Sequence, residues 1–440
     1  MKLMTGQEKR RDVDMAQLDE RYDGQNIRVH GMVHNLRRMN DFAFIILRGR
    51  NRILQCVSEN AGGIPEKLSL GDSVVLEGTL KMDERAPGGF ELQVTSADVL
   101  SHPDYPMAVD IAKRDLRMTI DKLTDLRPID LRNLKERAVF KIQEGIARGF
   151  REYLQNDGFT EIHTPKIVAS GAEGGANIFK LDYFGKKAYL AQSPQFYKQT
   201  LVGVYERVFE IGPVFRAEKH STTRHLNEYV SMDFEMGFID SFEDIMEVEA
   251  AMLKYMMELL KEHYAYELEL LGVELPKTDA IPSVRFDEAK KMVSEKYSRR
   301  IRDPFDLEPE EEQLISRLFK EEYDSDFVFV THYPSKKRPF YAMDDPDDKR
   351  YTLSFYLLFR GMEITTGGQR IHDYSQQVEK MISKGMDPAA FESYLMIHKY
   401  GMPPHGGLGI GLERLTMKLL DHDNIRRDCM FPRDMHRLVP

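Results

Sequence analysis

Between Ile27 and Leu100, apolar and polar side chains alternate in five short runs, IRVHGMVHNL, FAFIILRG, ILQCVS, SVVLEGTLKM and FELQVTSADVL. A period of two marks half-buried strands. Turn residues separate the runs: Asn40-Asp41, Gly62-Gly63, Gly71-Asp72 and the APGG of Ala86 to Gly89. Five such strands predict a small Greek-key barrel. The period then lengthens. Val139, Ile142, Ile146, Phe150 and Tyr153 recur at helical spacing until Asn156-Asp157-Gly158 ends the run. The strand FTEIHTPKIV follows, interrupted by Pro165, which cannot donate to a sheet ladder. Ile245, Val248, Met252 and Leu259 form one face of a second helix, opened by Ser241 and Asp244 as a capping box. FVFVTHYP reads as a buried strand. YTLSFYLLFRGMEITTGGQRIH alternates as far as Gly367-Gly368, and the glycine-rich GMPPHGGLGIG leads into a helix with Leu412, Leu415 and Leu419 on its apolar face. The class is α+β: a barrel over residues 1–104, a proline-punctuated hinge over 105–134, and a mixed domain over 135–440.

Composition narrows the function. With 440 residues, 42% hydrophobic and 30% charged, the chain is a globular protein of more than one domain. No apolar run is long enough to span a bilayer, and the start, MKLMTGQEKRR, lacks the apolar core of an export signal, so the expected location is cytoplasmic. Cys56 and Cys429 make no metal-type spacing and read as free thiols. A net charge of −10 argues against sequence-blind nucleic-acid binding. The charge is unevenly spread, however. Arg28, Arg37, Arg38, Arg48, Arg50 and Arg52 crowd a stretch whose one acid is Asp41. Phe42 and Phe44 alternate with these arginines, and rings between cations suit bases splayed out of a single-stranded loop. At least one of the two rings is expected in the barrel core. The barrel, of OB type, is the nucleic-acid end.

Residues 209 to 238, FEIGPVFRAEKHSTTRHLNEYVSMDFEMGF, read as two strands around a loop rich in cations. Arg216 and Asp233 fall on one open face, where a guanidinium can clamp a phosphate and a carboxylate can take an ammonium. Taken alone, this is also what a solvated surface hairpin looks like. The order FRAE, TRHLNE, MDFEM resembles the second signature motif of class II aminoacyl-tRNA synthetases, in the aspartyl, asparaginyl and lysyl subgroup. The long helix with Pro165 resembles motif 1, which builds the dimer interface, and GMPPHGGLGIGLER resembles motif 3. The ending FPRDMHRLVP matches the archaeal-type aspartyl enzymes.

The resemblance implies a catalytic domain built on an antiparallel sheet flanked by helices, a homodimer, and a two-step reaction. Aspartate attacks the α-phosphorus of ATP to give aspartyl-adenylate, and a terminal ribose hydroxyl of tRNA then takes the aspartyl group. Arg216 and Arg414 are implied as the catalytic cations on the α- and outer phosphates. Glu218, Arg224, His225, Tyr229 and Glu363 complete the ATP set, Tyr229 stacking on adenine. Aspartate falls to Glu173 on the SGAEGGANIF lid, to Ser193, Gln195 and Lys198 of QSPQFYK, to Asp233, and to Arg370, which would pair the β-carboxylate in a fork. Lys198 and Arg370 together favour aspartate over asparagine. Glu363 and Thr366 are implied as the magnesium site. For tRNA, Arg28 contributes charge, Phe44 stacks on the middle anticodon base and Gln55 reads the first.

Two positions depart from the commonest pattern. The subgroup carries an aspartate seven residues before the metal-binding glutamate, and Tyr356 stands there. Enzymes restricted to aspartate tRNA carry tryptophan following the first barrel glycine and lysine in the later turn, where this chain has His34 and Pro87. That pair predicts charging of both tRNA(Asp) and tRNA(Asn), with an amidotransferase converting the second product. Two alternatives stay open: an enzyme restricted to tRNA(Asp), and a catalytically weak paralogue with an RNA-binding or regulatory role. Asparagine synthetases built on the same core lack the barrel.

Overall fold

The computed structural model describes residues 12–50, 52–59, 63–171, 177–219 and 222–439. These form two compact units, one running to Arg117 and including Pro128–Leu134, the other comprising Met118–Arg127 and the chain from Lys135 onward.

In the first unit, β1 (Asn26–Arg38), β2 (Phe42–Arg48), β3 (Ile53–Glu59), β4 (Ser73–Met82) and β5 (Phe90–Ser101) close into a barrel in the order β1-β2-β3-β5-β4. Alternation fills it. Along β2, Ala43, Ile45 and Leu47 are buried, and with Val29, Val33, Leu54, Leu76 and Leu92 the last two make the interior. Phe42 and Phe44 both lie on the outer, half-buried face with their rings 5.2 Å apart. The expectation that one of them belongs to the core is therefore corrected. Residues two apart on a strand share a face, so the pair cannot be divided between core and surface.

The second unit is built on eight strands. In spatial order they are β12 (Ser283–Arg285), β13 (Phe327–Thr331), β14 (Ser354–Phe359), β15 (Met362–Arg370), β16 (His405–Gly411), β11 (Glu228–Gly237), β10 (Arg207–Phe215) and β6 (Thr160–Glu161). A small separate sheet holds β7 (Ile167–Val168), β8 (Lys180–Tyr183) and β9 (Lys186–Leu190). The strands from β13 through to β10 pair antiparallel, and the two outermost pairings, β12 with β13 and β6 with β10, are parallel.

Two helices, Leu134–Asn156 and Glu243–His263, contribute to one large apolar core with the sheet, including Phe150, Phe209, Met232, Phe234, Met252, Met256 and Leu408. They approach closely because position 145 has no side chain: a Cβ there would stand 2.5 Å from Leu260 Cδ2. The first helix ends as its sequence predicts, with Gly158 at φ 79° and the Phe159 N–H donating to Leu154 O. The second begins at Glu243 with Phe242 as its N-cap, one residue later than the expected capping box; Ser241 Oγ accepts from Glu243 N at 3.0 Å and Asp244 Oδ2 accepts from Ser241 N at 3.2 Å just ahead of it. Within 105–134 are helices Ile120–Asp125 and Arg127–Asp130. Arg127 is fully buried and donates to the carbonyls of Arg426, Cys429 and Met430. Both cysteines are free. Among the described residues no helix is long and apolar enough to cross a membrane.

Candidate active site

Tyr229, Ser231 and Asp233 project from β11 on the side away from the core, and with side chains of β15, the helix Gln195–Tyr205 and the start of the helix Leu412–Leu419 they line a cavity of about 670 Å³. Ser193, Gln195, Lys198, Arg216, Glu218, Arg224, His225, Tyr229, Asp233, Glu363, Thr366, Arg370 and Arg414 all line it. Glu173 lies outside the described residues.

One end of the cavity is a buried charge net. Lys198 Nζ lies 3.0 Å from Asp233 Oδ1, 3.3 Å from Glu235 Oε2 and 2.8 Å from Leu408 O. Arg370 forks onto Glu235, Nε to Oε1 at 2.8 Å and Nη2 to Oε2 at 3.4 Å, while Nη2 also donates to Gly407 O at 2.9 Å. Burial alone would push the Glu235 carboxyl up, but Arg370 and Lys198 outweigh it and hold the group below the usual carboxylate range. Both cations expected to meet the substrate's β-carboxylate are thus already aimed by internal carboxylates. The β16 backbone beside this net is bare. A Cβ at Gly407 would stand 2.3 Å from Glu235 Oε2, and one at Gly409 would stand 2.9 Å from Asp233 Oδ1.

The other end presents Arg216, Arg224, Arg414 and Glu363. The Arg216 guanidinium lies 5.8 Å from the Tyr229 ring centroid, which leaves an arginine and an aromatic side by side. Arg224 pairs with Glu312, Thr222 Oγ1 is 2.6 Å from His225 Nδ1, and Arg414 Nη1 lies 3.6 Å from Glu363 Oε2. Thr366 donates its hydroxyl to Glu363 Oε1. Glu413, buried beside Arg414, accepts from Val230 N at 3.1 Å, and burial pushes its acid up to about 8. Glu312 and Glu413 carry no signal in the sequence. Glu235 was visible as a member of the β11 alternation, but its partners come from positions far away in the chain.

The donors for a metal are few. Glu363 is a carboxylate held in place by Thr366. Tyr356 accepts at 2.9 Å from Arg338 Nη1, and burial pushes its phenol well above the ordinary tyrosine range, the guanidinium opposing in part. It stays neutral. Among the described residues no group of three or more His, Cys, Asp or Glu could hold a metal ion. A single carboxylate suits a hard cation that arrives already bound to phosphate oxygens, not a cage.

On the barrel, Phe42, Phe44, Arg37, Gln55, Arg85 and Glu91 line a second concavity of about 660 Å³. Gln55 Nε2 donates to Glu91 at 2.8 Å. Three other expected contacts are not in its lining. Arg28 pairs with Asp12 at 2.9 Å and Glu77 at 3.5 Å. His34 is buried, only 4% exposed, where the β1–β2 register shifts. Pro87 is exposed in the turn Pro87–Gly89.

An OB barrel, and a mostly antiparallel sheet whose cation-bearing hairpin faces a cavity, together define a class II aminoacyl-tRNA synthetase. Residues 120–435 match the family of class II tRNA synthetases (D, K and N), and residues 27–100 match the OB-fold nucleic acid binding domain. The chain belongs to this synthetase family. It is 47% identical to the aspartate–tRNA(Asp/Asn) ligase of Deinococcus radiodurans over 95% of this chain and 97% of that one. It is 39% identical to the aspartate–tRNA(Asp) ligase of Pyrococcus furiosus over 96% and 98%. Its fold matches the asparaginyl-tRNA synthetase of Pyrococcus horikoshii complexed with asparaginyl-adenylate at TM-score 0.89 and 33% identity, covering 98% and 99% of the two chains.

Proposed function

We propose that this chain is an aspartate–tRNA ligase that activates L-aspartate with ATP and charges both tRNA(Asp) and tRNA(Asn). The observation that carries the reading is the convergence of Lys198 and Arg370 on one buried end of a cavity whose other end offers Arg216 and Arg414. Two cations at the amino-acid end suit a side-chain carboxylate. A neutral amide would gain no charge-assisted bond from either cation, whereas a carboxylate gains one from each. Asp233 and Gln195 would hold the ammonium, Arg216 the α-phosphate and Arg414 the outer phosphates. No side chain has to act as nucleophile, so catalysis is positioning and charge neutralisation. Magnesium would enter with the nucleotide and meet Glu363, where it supplies positive charge to the phosphates. Thr366 keeps that carboxylate oriented.

Phe44 and Gln55 would receive anticodon bases on the barrel, and Pro87 with His34 would relax the reading of the third base. A homodimer through the motif 1 helix, a cytoplasmic location and an amidotransferase acting on Asp-tRNA(Asn) complete the proposal. The test is ATP-dependent aspartate charging of tRNA(Asp) and tRNA(Asn) transcripts side by side. Charging of both is expected, and Pro87→Lys should shift preference to tRNA(Asp). Because His34 is nearly enclosed, tryptophan there would disturb the barrel, which makes the exposed turn the cleaner probe. Charging of tRNA(Asp) alone removes the second half of the proposal. Tyr356 favours one rival, a weak paralogue, and absence of both charging and aspartate-dependent pyrophosphate exchange would select it.

A further inference from the structure

Arg338 is 7% exposed and lines the same cavity as Glu363 and Arg414. Its Nη1 donates to the Tyr356 phenol at 2.9 Å, and its guanidinium lies 5.1 Å from that ring and 5.8 Å from the Tyr333 ring. The backbone is fixed as well. Lys384 Nζ donates to Ser335 O and Arg338 O, each at 2.8 Å. Arg338 Nε is buried with no hydrogen-bond partner, and among the described residues no carboxylate pairs with this guanidinium. The contrast with the other buried cations of the cavity is direct, since Lys198 and Arg370 each have a carboxylate.

A buried charge without a counter-ion is costly, and a protein retains one where a ligand supplies the missing sign. We infer that the counter-ion of Arg338 is the phosphate chain of the bound nucleotide, and that Tyr356 holds the guanidinium in position without neutralising it. The phenol is the operative choice. A hydroxyl accepts one hydrogen bond and leaves the full positive charge facing the cavity, whereas a carboxylate at 356 would take the guanidinium for itself. Part of the phosphate charge is then met by a fixed arginine, and nucleotide affinity depends less steeply on magnesium than it would with two carboxylates at the site. This rests on the ATP-dependent reading above.

The test is ATP binding to the full-length protein by calorimetry, once in EDTA and once with magnesium. Wild type binds in both. Arg338→Met should lose roughly 10- to 100-fold in ATP affinity in EDTA, and Arg338→Lys should retain most of it. Tyr356→Asp should match Arg338→Met in EDTA and steepen the magnesium dependence. Arg338→Met binding ATP in EDTA as tightly as wild type overturns the inference. If that variant fails to fold, the Tyr356→Asp titration decides: an unchanged magnesium dependence overturns it equally. A wild-type protein that binds no ATP in either condition instead overturns the functional reading itself.

Discussion

Strand β11 carries Tyr229, Ser231, Asp233 and Glu235 on one face and Val230, Met232, Phe234 and Met236 on the other, and the two faces meet opposite demands from adjacent residues. On the cavity side nearly every buried charge has a partner within about 3 Å, at a depth where an uncompensated one would be costly. On the core side Phe234 packs edge-on to Phe159 with ring centroids 5.5 Å apart, and no directional bond is needed. The lesson is a division of labour. The apolar face fixes where the strand lies, and only then can the charged face hold Lys198, Asp233, Glu235 and Arg370 in one arrangement.

If that division holds, mutations on the two faces should fail differently. Phe234→Ala should cost about 3–5 kcal/mol in stability through transfer and cavity terms, read by chemical denaturation. Its exchange activity below the melting range should stay near wild type. Arg216→Lys should do the reverse, lowering aspartate-dependent pyrophosphate exchange by roughly 10²–10³-fold with the denaturation midpoint nearly unmoved. A variant that lost both properties together would break the comparison.

Glu249 sharpens it, because it is a carboxyl on the core side. Thr365 donates to Oε1, Oε2 has no partner, and burial pushes the acid up to about 8 from an ordinary 4.5. The folded state therefore keeps a proton that the unfolded chain has given up, so this group's contribution is full below about 4.5 and is lost as pH rises toward 8. Relative to Glu249→Gln, the wild type should lose up to a few kcal/mol across that window, measured by melts at several pH values. A gap that does not change with pH would show the carboxyl to be charged throughout. The smallest effect is expected on the barrel. Phe44→Ala should raise the KM for tRNA roughly tenfold by removing a stacking surface, with pyrophosphate exchange unchanged.

Much of this was legible in the chain because it rests on local periodicity. The five barrel strands, the hairpin and the helix ended by Gly158 each follow from short-range patterns that tertiary structure did not override. Of the thirteen cavity residues, Arg216 and Asp233 follow from strand alternation and the others from resemblance, which locates positions but not their partners. That Arg370 is forked onto Glu235 depends on strands β15 and β11 both flanking β16, which no local pattern encodes. The acidic stretch after residue 270 carries no recognisable motif, yet it brings Glu312 to Arg224. Arg338 was hidden in the basic run KKRPF, where nothing distinguishes the buried cation from its exposed neighbours.

The bare β16 backbone beside the charge net limits how the enzyme can be altered. With a Cβ at Gly407 landing 2.1 Å from Phe234 O, and one at Gly409 landing against Asp233, neither position tolerates even alanine without moving the backbone or a charge. A directed-evolution library aimed at a new amino-acid preference should therefore leave 407 and 409 unrandomised and place its diversity on the walls, at Gln195, Lys198 and Tyr341, which also lines the cavity. Selection from a library that does include them is expected to return glycine at both, so this strand would stay invariant while the walls drift.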